Sequence, residues 1–489
     1  MALDLTLSHH LSSETKNRTP NPMKEIWRLA QSTPGIINMA NGDPHHSLYP
    51  ISEIAFRVPS ISQDDPVNAW RKGESITQTL TSYKDEPSAV SLRSALQYGS
   101  GAGLPEVRAA LEQLMTVMHP SPSENHFVTL SLGNADAVTK CFRLLGEPGD
   151  AFLAEEFSFP GMTNAPLAHK VRWVPVKLDK AGMIPEDMER ILREWDENKR
   201  GRRPHVLYTI PCGQNPTGST LPSERRRKIY EIACRWDLII VEDDPYYFLQ
   251  YDKPPIRTED VEKDGFAKTW ARNLAPSFLS LDTEGRVMRI DSFSKIIAPG
   301  MRLGWITSNP LFASHLENLI DSSTQHPHGL GQAFIAEMLA GKDSWQIDGF
   351  ARWVKSLCDE YQQRRDFLAR LFEAELGNSG YANVEIPEAG MFLWIRINIE
   401  KHPRYRKDQA GKSNSRALTE ELFNHVREAG VMMMPGYVFA IVDAEENGSG
   451  PNAIDERSNY FRTTFVGIEE TMEKGMAIFG SAVREFFAS

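Results

Sequence analysis

The sequence predicts an α/β protein: a mainly parallel sheet covered by helices, followed by a smaller α+β domain. Three observations carry that reading. From Phe127 onward, apolar strand-like segments alternate with helical ones, the order that builds a parallel sheet. Polar or glycine-rich segments follow the strand ends, where open α/β sheets bind their ligands. After about residue 350 the texture changes to one long amphipathic helix, hairpin-like strands and a further helix.

The elements follow in chain order. The first twenty or so residues read as disordered or arm-like. "NPMKEIWRLAQS" has helical spacing at Met23, Ile26, Trp27 and Ala30, and "GIINMANGDP" reads as a short strand ending in a turn. Between Leu92 and Met118 the pattern is helix, glycine-rich break ("YGSGAGLPEV"), helix. Strands are expected at "HFVTLS", "DAFLAEE", "KVRWVPVKL", "HVLYTIP", "LIIVEDD" and "RVMRIDSFS". Helices are expected at "NADAVTKCFRLLG" and "SERRRKIYEIACRWD", with "ERRRK" (224–228) as one solvated face. Beyond residue 350 come the helix "ARWVKSLCDEYQQRRDFLARLFEAEL", strands in "NVEIPEAGMFLWIRI", the helix "RALTEELFNHVREAG", then "VMMMPG" and "NYFRTTFV". "REWDENKRGRRP", "EKHPRYRKDQAGKSNS" and "DAEENGSGPNAIDERSN" read as surface loops. The expected division is an arm and covering segment (1–50), a large α/β domain (51–345) and a small C-terminal α+β domain (346–489).

Composition narrows the function. A formal charge of -11 argues against a general nucleic-acid binder but leaves room for a local basic pocket for a small anion. Cys141, Cys212, Cys234 and Cys358 form no CxxC pair and have no zinc-like spacing to histidine, so they read as reduced thiols in a cytoplasmic compartment. No signal peptide, transit peptide or membrane span is expected. "HH" (45–46) and "HPH" (326–328) lack companions at ligand spacing, so no metal is expected. "GSGAG" has the wrong spacing, and the wrong preceding element, for a dinucleotide loop.

Four short segments sit at strand ends: "SLGNADA" (131–137), "QNPTG" (214–218), "EDDPYY" (242–247) and "SFSK" (292–295). "FSFPG" (157–161) adds an aromatic. Together they offer a helix N-terminus, an amide, a carboxylate with a tyrosine three residues on, and an amine. A lysine at the end of a buried strand is costly if it stays charged and unpaired. Covalent capture of a carbonyl removes that cost, and lysine is the usual residue for it. If the carbonyl belongs to a cofactor with a phosphate and a pyridine ring, the remaining segments acquire roles.

On these motifs the chain resembles the class I/II aminotransferases of the fold-type-I pyridoxal-phosphate enzymes. Within them it is similar to the branch of fungal aromatic amino-acid and kynurenine/α-aminoadipate aminotransferases. The resemblance runs from about Arg18 to the C-terminus and is densest in "LPSERRRKIYEIACRWDLIIVEDDPYYFLQY" and "SLDTEGRVMRIDSFSKIIAPGMRLGW". It implies a seven-stranded, mainly parallel sheet with helices on both faces, pyridoxal 5'-phosphate as cofactor, and a homodimer with its active site at the subunit interface.

The resemblance also assigns residues. Lys295 of "SFSK" would hold the cofactor's aldehyde and then move the α-proton. Asp243 would meet the pyridine nitrogen; Tyr246 and Asn215 would meet the ring hydroxyl. Arg302, Ser292, Ser294, Asn134 and Ala135 would bind the phosphate, with Tyr98 reaching the phosphate of the neighbouring subunit. Phe159 would stack on the ring. Arg462 of "YFRTTF" would grip the substrate α-carboxylate, with Asn215 beside it; a planar fork suits a carboxylate. Arg18 and the "NGDP" turn, with Gly42, would belong to a segment covering the substrate. The chain departs from the family pattern at "SLGNADA", where relatives often carry a glycine-serine pair. It departs again at Phe159, where tyrosine is common, and in the "NGDP" turn.

The implied reaction passes an amino group from an aromatic L-amino acid to a 2-oxo acid such as 2-oxoglutarate. The alternatives are α-aminoadipate or another non-aromatic donor, a lyase or decarboxylase on the same scaffold, and a regulator with an aminotransferase-like domain. About seventeen residues precede the resemblance, too few for a DNA-binding module.

Overall fold

The computed structural model describes residues 6–123, 125–409, 411–443 and 454–489. They form two compact units. The first comprises Met1–Glu147, Asp237–Pro245 and Pro254–Ser356; the second comprises Pro148–Trp236, Tyr246–Lys253 and Leu357–Ser489. The strands in chain order are β1 (Glu53–Pro59), β2 (Thr77–Tyr83), β3 (Phe127–Ser131), β4 (Ala151–Glu155), β5 (Arg172–Val176), β6 (Val206–Thr209) and β7 (Ile239–Asp243). Then come β8 (Val287–Ser292), β9 (Gly304–Ser308), β10 (Ala382–Val384), β11 (Phe392–Ile397), β12 (Met434–Pro435) and β13 (Tyr460–Thr464).

Seven of these make up the main sheet, four in the first unit (order β3-β9-β8-β7) and three in the second (order β6-β4-β5). Within each unit the paired strands run parallel, except β9, which runs antiparallel to both β8 and β3. Every residue of β7, β8 and β9 is buried, as expected for strands covered on both faces. The second unit also holds an antiparallel sheet, order β10-β11-β13-β12. One of its cores is aromatic: Phe157, Trp394 and Phe439, with Tyr460 stacked on Trp394 at 4.8 Å.

The strands and helices expected from Phe127 onward are present, and the long helix runs Gln346–Phe372 with a further π-helical turn at Glu373–Gly377. The antiparallel pair β1–β2 and the strand β9 were not foreseen.

Four expectations are corrected. Residues 35–44 form no strand: Ile36, Ile37 and Met39 point to solvent, and the segment has no partner strand to complete its hydrogen bonds. The N-terminal segment is not disordered in its described part. Leu7, His10, Leu11 and Ser12 are buried, and the short helix α1 (Ser13–Asn17) is capped by Ser12. "REWDENKRGRRP" is partly helical: Asp196 caps a turn at Glu197–Arg200, and Arg200 stacks on Trp195 at 3.9 Å. "ERRRK" is not uniformly solvated, because Arg226 is fully buried. Of the "DAEENGSGPNAIDERSN" loop, residues 444–453 lie outside the described residues, as does 410 in the "EKHPRYRKDQAGKSNS" loop.

The N-terminal segment is tied down at several points. Ser12 N–H and the Thr15 hydroxyl both donate to the carbonyl of Leu144, at the end of the helix Asn134–Leu145. His9 and His10 meet the Asp237 carboxylate at 2.6 and 3.2 Å, and Arg286 donates to it at 2.7 Å. Burial alone would raise the Asp237 carboxyl; Arg286 and the two imidazoles hold it well below the usual range. The next helix, α2 (Pro22–Ser32), is held by Arg28, which bonds Glu317 at 2.8 Å and Asp321 at 2.6 Å. Truncating Leu11 to alanine is expected to destabilise the first unit by about 2–4 kcal/mol, read by denaturant titration. Unchanged stability would mean the docked N-terminus contributes nothing.

Candidate active site

In the first unit, three strand ends bring polar groups to one place. β3 leads through Leu132 and Gly133 into α3 (Asn134–Leu145). Gly133 has φ 92°, and a Cβ there would lie 2.7 Å from Arg302 Nη2, so both conformation and space require glycine. Arg302 itself sits at φ 44°, in the left-handed region that arginine rarely adopts. That backbone follows from the turn at Pro299–Met301 and returns the guanidinium to the start of α3. There it donates to Leu132 O at 2.8 Å and to Pro299 O at 3.0 Å. His328 locks the same turn by bonding the Met301 carbonyl at 2.7 Å. A helix N-terminus beside an arginine fork favours an anion.

β8 ends at Ser292, whose hydroxyl caps the turn Phe293–Lys295 by accepting from Ser294 N–H at 3.0 Å and donates to Ser294 Oγ at 2.8 Å. Phe293 is fully buried against Trp305, and Trp353 donates to Ile296 O at 3.0 Å, so the turn bearing the half-buried Lys295 is fixed on two sides.

β7 ends at Asp243, which is 3% exposed. Asn134 Nδ2 donates to Asp243 Oδ1 at 2.5 Å, while the buried Asn134 Oδ1 has no partner among the described residues. The side chain of Asn134 is therefore turned to Asp243, and what it and the exposed Ala135 offer an anion is the opening of α3. A cofactor with a phosphate, a ring nitrogen and an aldehyde fits these donors: the Gly133–Arg302 cradle, a buried carboxylate with an unmatched amide beside it, and an amine.

Other predicted residues of this unit stand apart. Tyr98 is exposed, with its ring 6.3 Å from that of His326. Arg18 is turned to Glu14 and to Ser322 Oγ. Gly42 lies in an exposed stretch with nothing within 4 Å of where a Cβ would stand. One cluster of metal-ligating types occurs among the described residues, His9, His10 and Asp237. Arg286 on the same carboxylate makes it an ionic latch rather than a cation site.

The second unit contributes a different set. Asn215 lies in a tight loop after β6, where Gln214 O accepts from Gly218 N–H at 2.6 Å and Gln214 Nε2 reaches Phe157 O at 2.7 Å. The buried Arg226 fastens both ends of this loop, donating to Pro211 O and Leu221 O at 2.9 Å each. Arg462 on β13 donates to Asn215 Oδ1 at 2.6 Å. Its guanidinium lies over Phe392 (4.4 Å) and Phe439 (4.8 Å). Burial lowers its proton affinity, and among the described residues it has no carboxylate within ion-pair distance. Tyr246 is buried with its ring edge-on to Phe392 at 5.7 Å. Phe159 is half-buried at the start of Pro160–Thr163, with its ring against Gly161.

Phe392 and Phe439 escaped the sequence reading. The alternation in "MFLWIRI" pointed to a strand but did not say which face carries Arg462. Replacing Gly133 by alanine is expected to destabilise the first unit by about 1–3 kcal/mol and to displace Arg302. A denaturant titration reads the first effect, and wild-type stability would contradict the tight fit.

Comparisons with known proteins identify the family. The family pattern described as "Aminotransferase class I and II" matches residues 64–478. The L-tyrosine:2-oxoglutarate aminotransferase amt1 of Serpula lacrymans is 54% identical over 504 residues, covering 98% of this chain and 96% of its own. An aromatic amino acid aminotransferase of Schizosaccharomyces pombe is 36% identical, covering 98% of this chain and 96% of its own. The crystal structure of aminotransferase Aro8 from Candida albicans superposes with a TM-score of 0.84 at 31% identity, covering 99% of both chains. A buried carboxylate at one strand end, an amine at the next, and a family match over most of the length lead to one statement: this chain belongs to the class I and II aminotransferases.

Proposed function

We propose that this aminotransferase moves the amino group of an aromatic L-amino acid to a 2-oxo acid such as 2-oxoglutarate, with pyridoxal 5'-phosphate as cofactor. The observation that carries the reading is Arg462: a partly buried guanidinium with no carboxylate at ion-pair distance among the described residues, lying over two phenylalanine rings. A planar fork takes the α-carboxylate, and the rings offer an apolar aromatic surface beside it. Asn215 fixes the fork's direction. The relatives named for tyrosine and aromatic donors support the same choice.

The coenzyme, when bound, supplies an aldehyde for the substrate amine and a protonated ring that accepts electron density. The chain's own residues then have distinct tasks. Lys295 provides the amine that anchors the aldehyde and carries the α-proton away. Asp243 holds the proton on the ring nitrogen. Tyr246 and Asn215 orient the ring hydroxyl, and Phe159 packs on the ring face. Arg302, Ser292, Ser294 and the Asn134–Ala135 end of α3 take the phosphate. Arg18, Gly42 and the rest of residues 1–50 form the covering segment, beside a large domain over 51–345 and a small one over 346–489.

The same proposal includes a homodimer in which Tyr98 serves the partner's phosphate. In its support, Met23, Ile26 and Leu29 form an apolar face on α2 that stands in solvent, and Ile37 and Met39 are 86% and 91% exposed. Such a patch is unusual on a monomer. A cytoplasmic location accords with four free cysteines, three of them buried. No helix among the described residues is long and apolar enough to cross a membrane.

Lys295→Ala is expected to abolish transamination together with the visible absorbance of lysine-bound cofactor; retention of both would refute its role. Arg462→Lys should raise KM for the amino donor about 10–100-fold with a smaller change in kcat, measured by steady-state kinetics. Single-turnover spectra with tyrosine, phenylalanine, tryptophan and α-aminoadipate test the donor class. Faster reaction with α-aminoadipate than with all three aromatic acids would overturn the aromatic assignment.

A further inference from the structure

β7 and β8 run parallel with Glu242 paired to Arg289 and Asp243 paired to Ile290. Side chains alternate across a strand, so Asp243 and Ser292 share one face of the sheet. Glu242, Asp244, Arg289 and Asp291 share the other. All four of these are nearly inaccessible, at 0–2% exposure. Arg289 grips Asp291 with two parallel bonds, Nε to Oδ2 at 2.9 Å and Nη2 to Oδ1 at 2.8 Å. Its Nη1 lies 3.1 Å from both Glu242 Oε1 and Asp244 Oδ2. Glu242 also accepts from the backbone N–H groups of Phe278 (2.8 Å) and Leu279 (3.2 Å).

One guanidinium thus faces three carboxylates in a dry layer. Stability does not require such an arrangement, since well-packed apolar side chains often serve as well as buried ion clusters. These carboxylates lie on the face of the sheet opposite Asp243. On Asp243's own side, α3 presents the Asn134 amide and the buried Cys141 thiol. Burial, and then the charge of Asp243, push that thiol up, so it stays neutral.

We propose that Arg289, Glu242, Asp244 and Asp291 are positioning residues for Asp243. They fix the adjoining strand ends, and the carboxylates behind it strengthen the hold of Asp243 on the proton of the cofactor's ring nitrogen. The inference rests on the reading that Asp243 meets that nitrogen. Negative charge behind a carboxylate stabilises positive charge in front of it. The cluster also sits near its charge limit. Burial, with Glu242 adding to it, pushes the Asp291 carboxyl up to about 6 against the pull of Arg289.

The test uses Asp291→Asn, Asp244→Asn and Glu242→Gln in the cofactor-loaded enzyme, each removing one charge at near-constant shape. Three readouts are needed: thermal melting, cofactor dissociation constant, and the pH midpoint of the bound cofactor's visible absorbance. Folded variants are expected to bind the cofactor about three- to tenfold more weakly and to shift the midpoint to lower pH by about one unit. Wild-type midpoint and affinity in the folded variants would overturn the proposal, as would failure of all three to fold, which would make the cluster a folding element only. Asp243→Asn separates the two layers of argument. If it leaves the midpoint unmoved, the reading of Asp243 itself fails. If it moves the midpoint while the cluster variants do not, only the present inference fails.

Discussion

The register between β7 and β8 is the constraint on which the first unit's chemistry depends. Pairing Ile290 with Asp243 sets which residues face which side, because a slip by one residue would send every side chain to the opposite face. With the observed pairing, one face receives Asp243 and Ser292, and the other receives a closed set of charges. β9 returns antiparallel against β8 and delivers the chain from Arg302 back into the sheet. The lysine turn, the arginine turn and the carboxylate are therefore consequences of three adjacent strands ending where they do.

The two units handle charge in opposite ways. In the first, carboxylates outnumber the buried guanidinium they surround. In the second, Arg462 is partly buried and meets rings and an amide instead of an anion.

Much of this was legible before any coordinates. Strand ends such as Asp243, Ser292 and Asn134 could be placed because apolar runs stop abruptly at polar residues, and α/β folds put function there. The position of Lys295 followed from the same rule. What remained hidden was whatever depends on the far side of a strand or on distant packing. Glu242 and Asp244 gave no sign in the sequence of the Arg289 guanidinium that meets them. Arg226 read as one of several solvated arginines, because periodicity alone cannot say which helical face meets a loop. Ile36, Ile37 and Met39 suggested a strand by composition, but strand formation needs a partner that residues 35–44 lack. His9 and His10 gave no local signal of order; their ligand, Asp237, is 228 and 227 residues away.

Gly213 and Gly390 meet backbone to backbone: a Cβ on the former would fall 2.4 Å from the Cα of the latter, and one on the latter 2.7 Å from the Cα of the former. Neither site tolerates a side chain, so the loop that presents Asn215 is closed to diversification. Positions 392 and 439 carry no such backbone constraint, and exchanging either ring would retune the arginine they shelter.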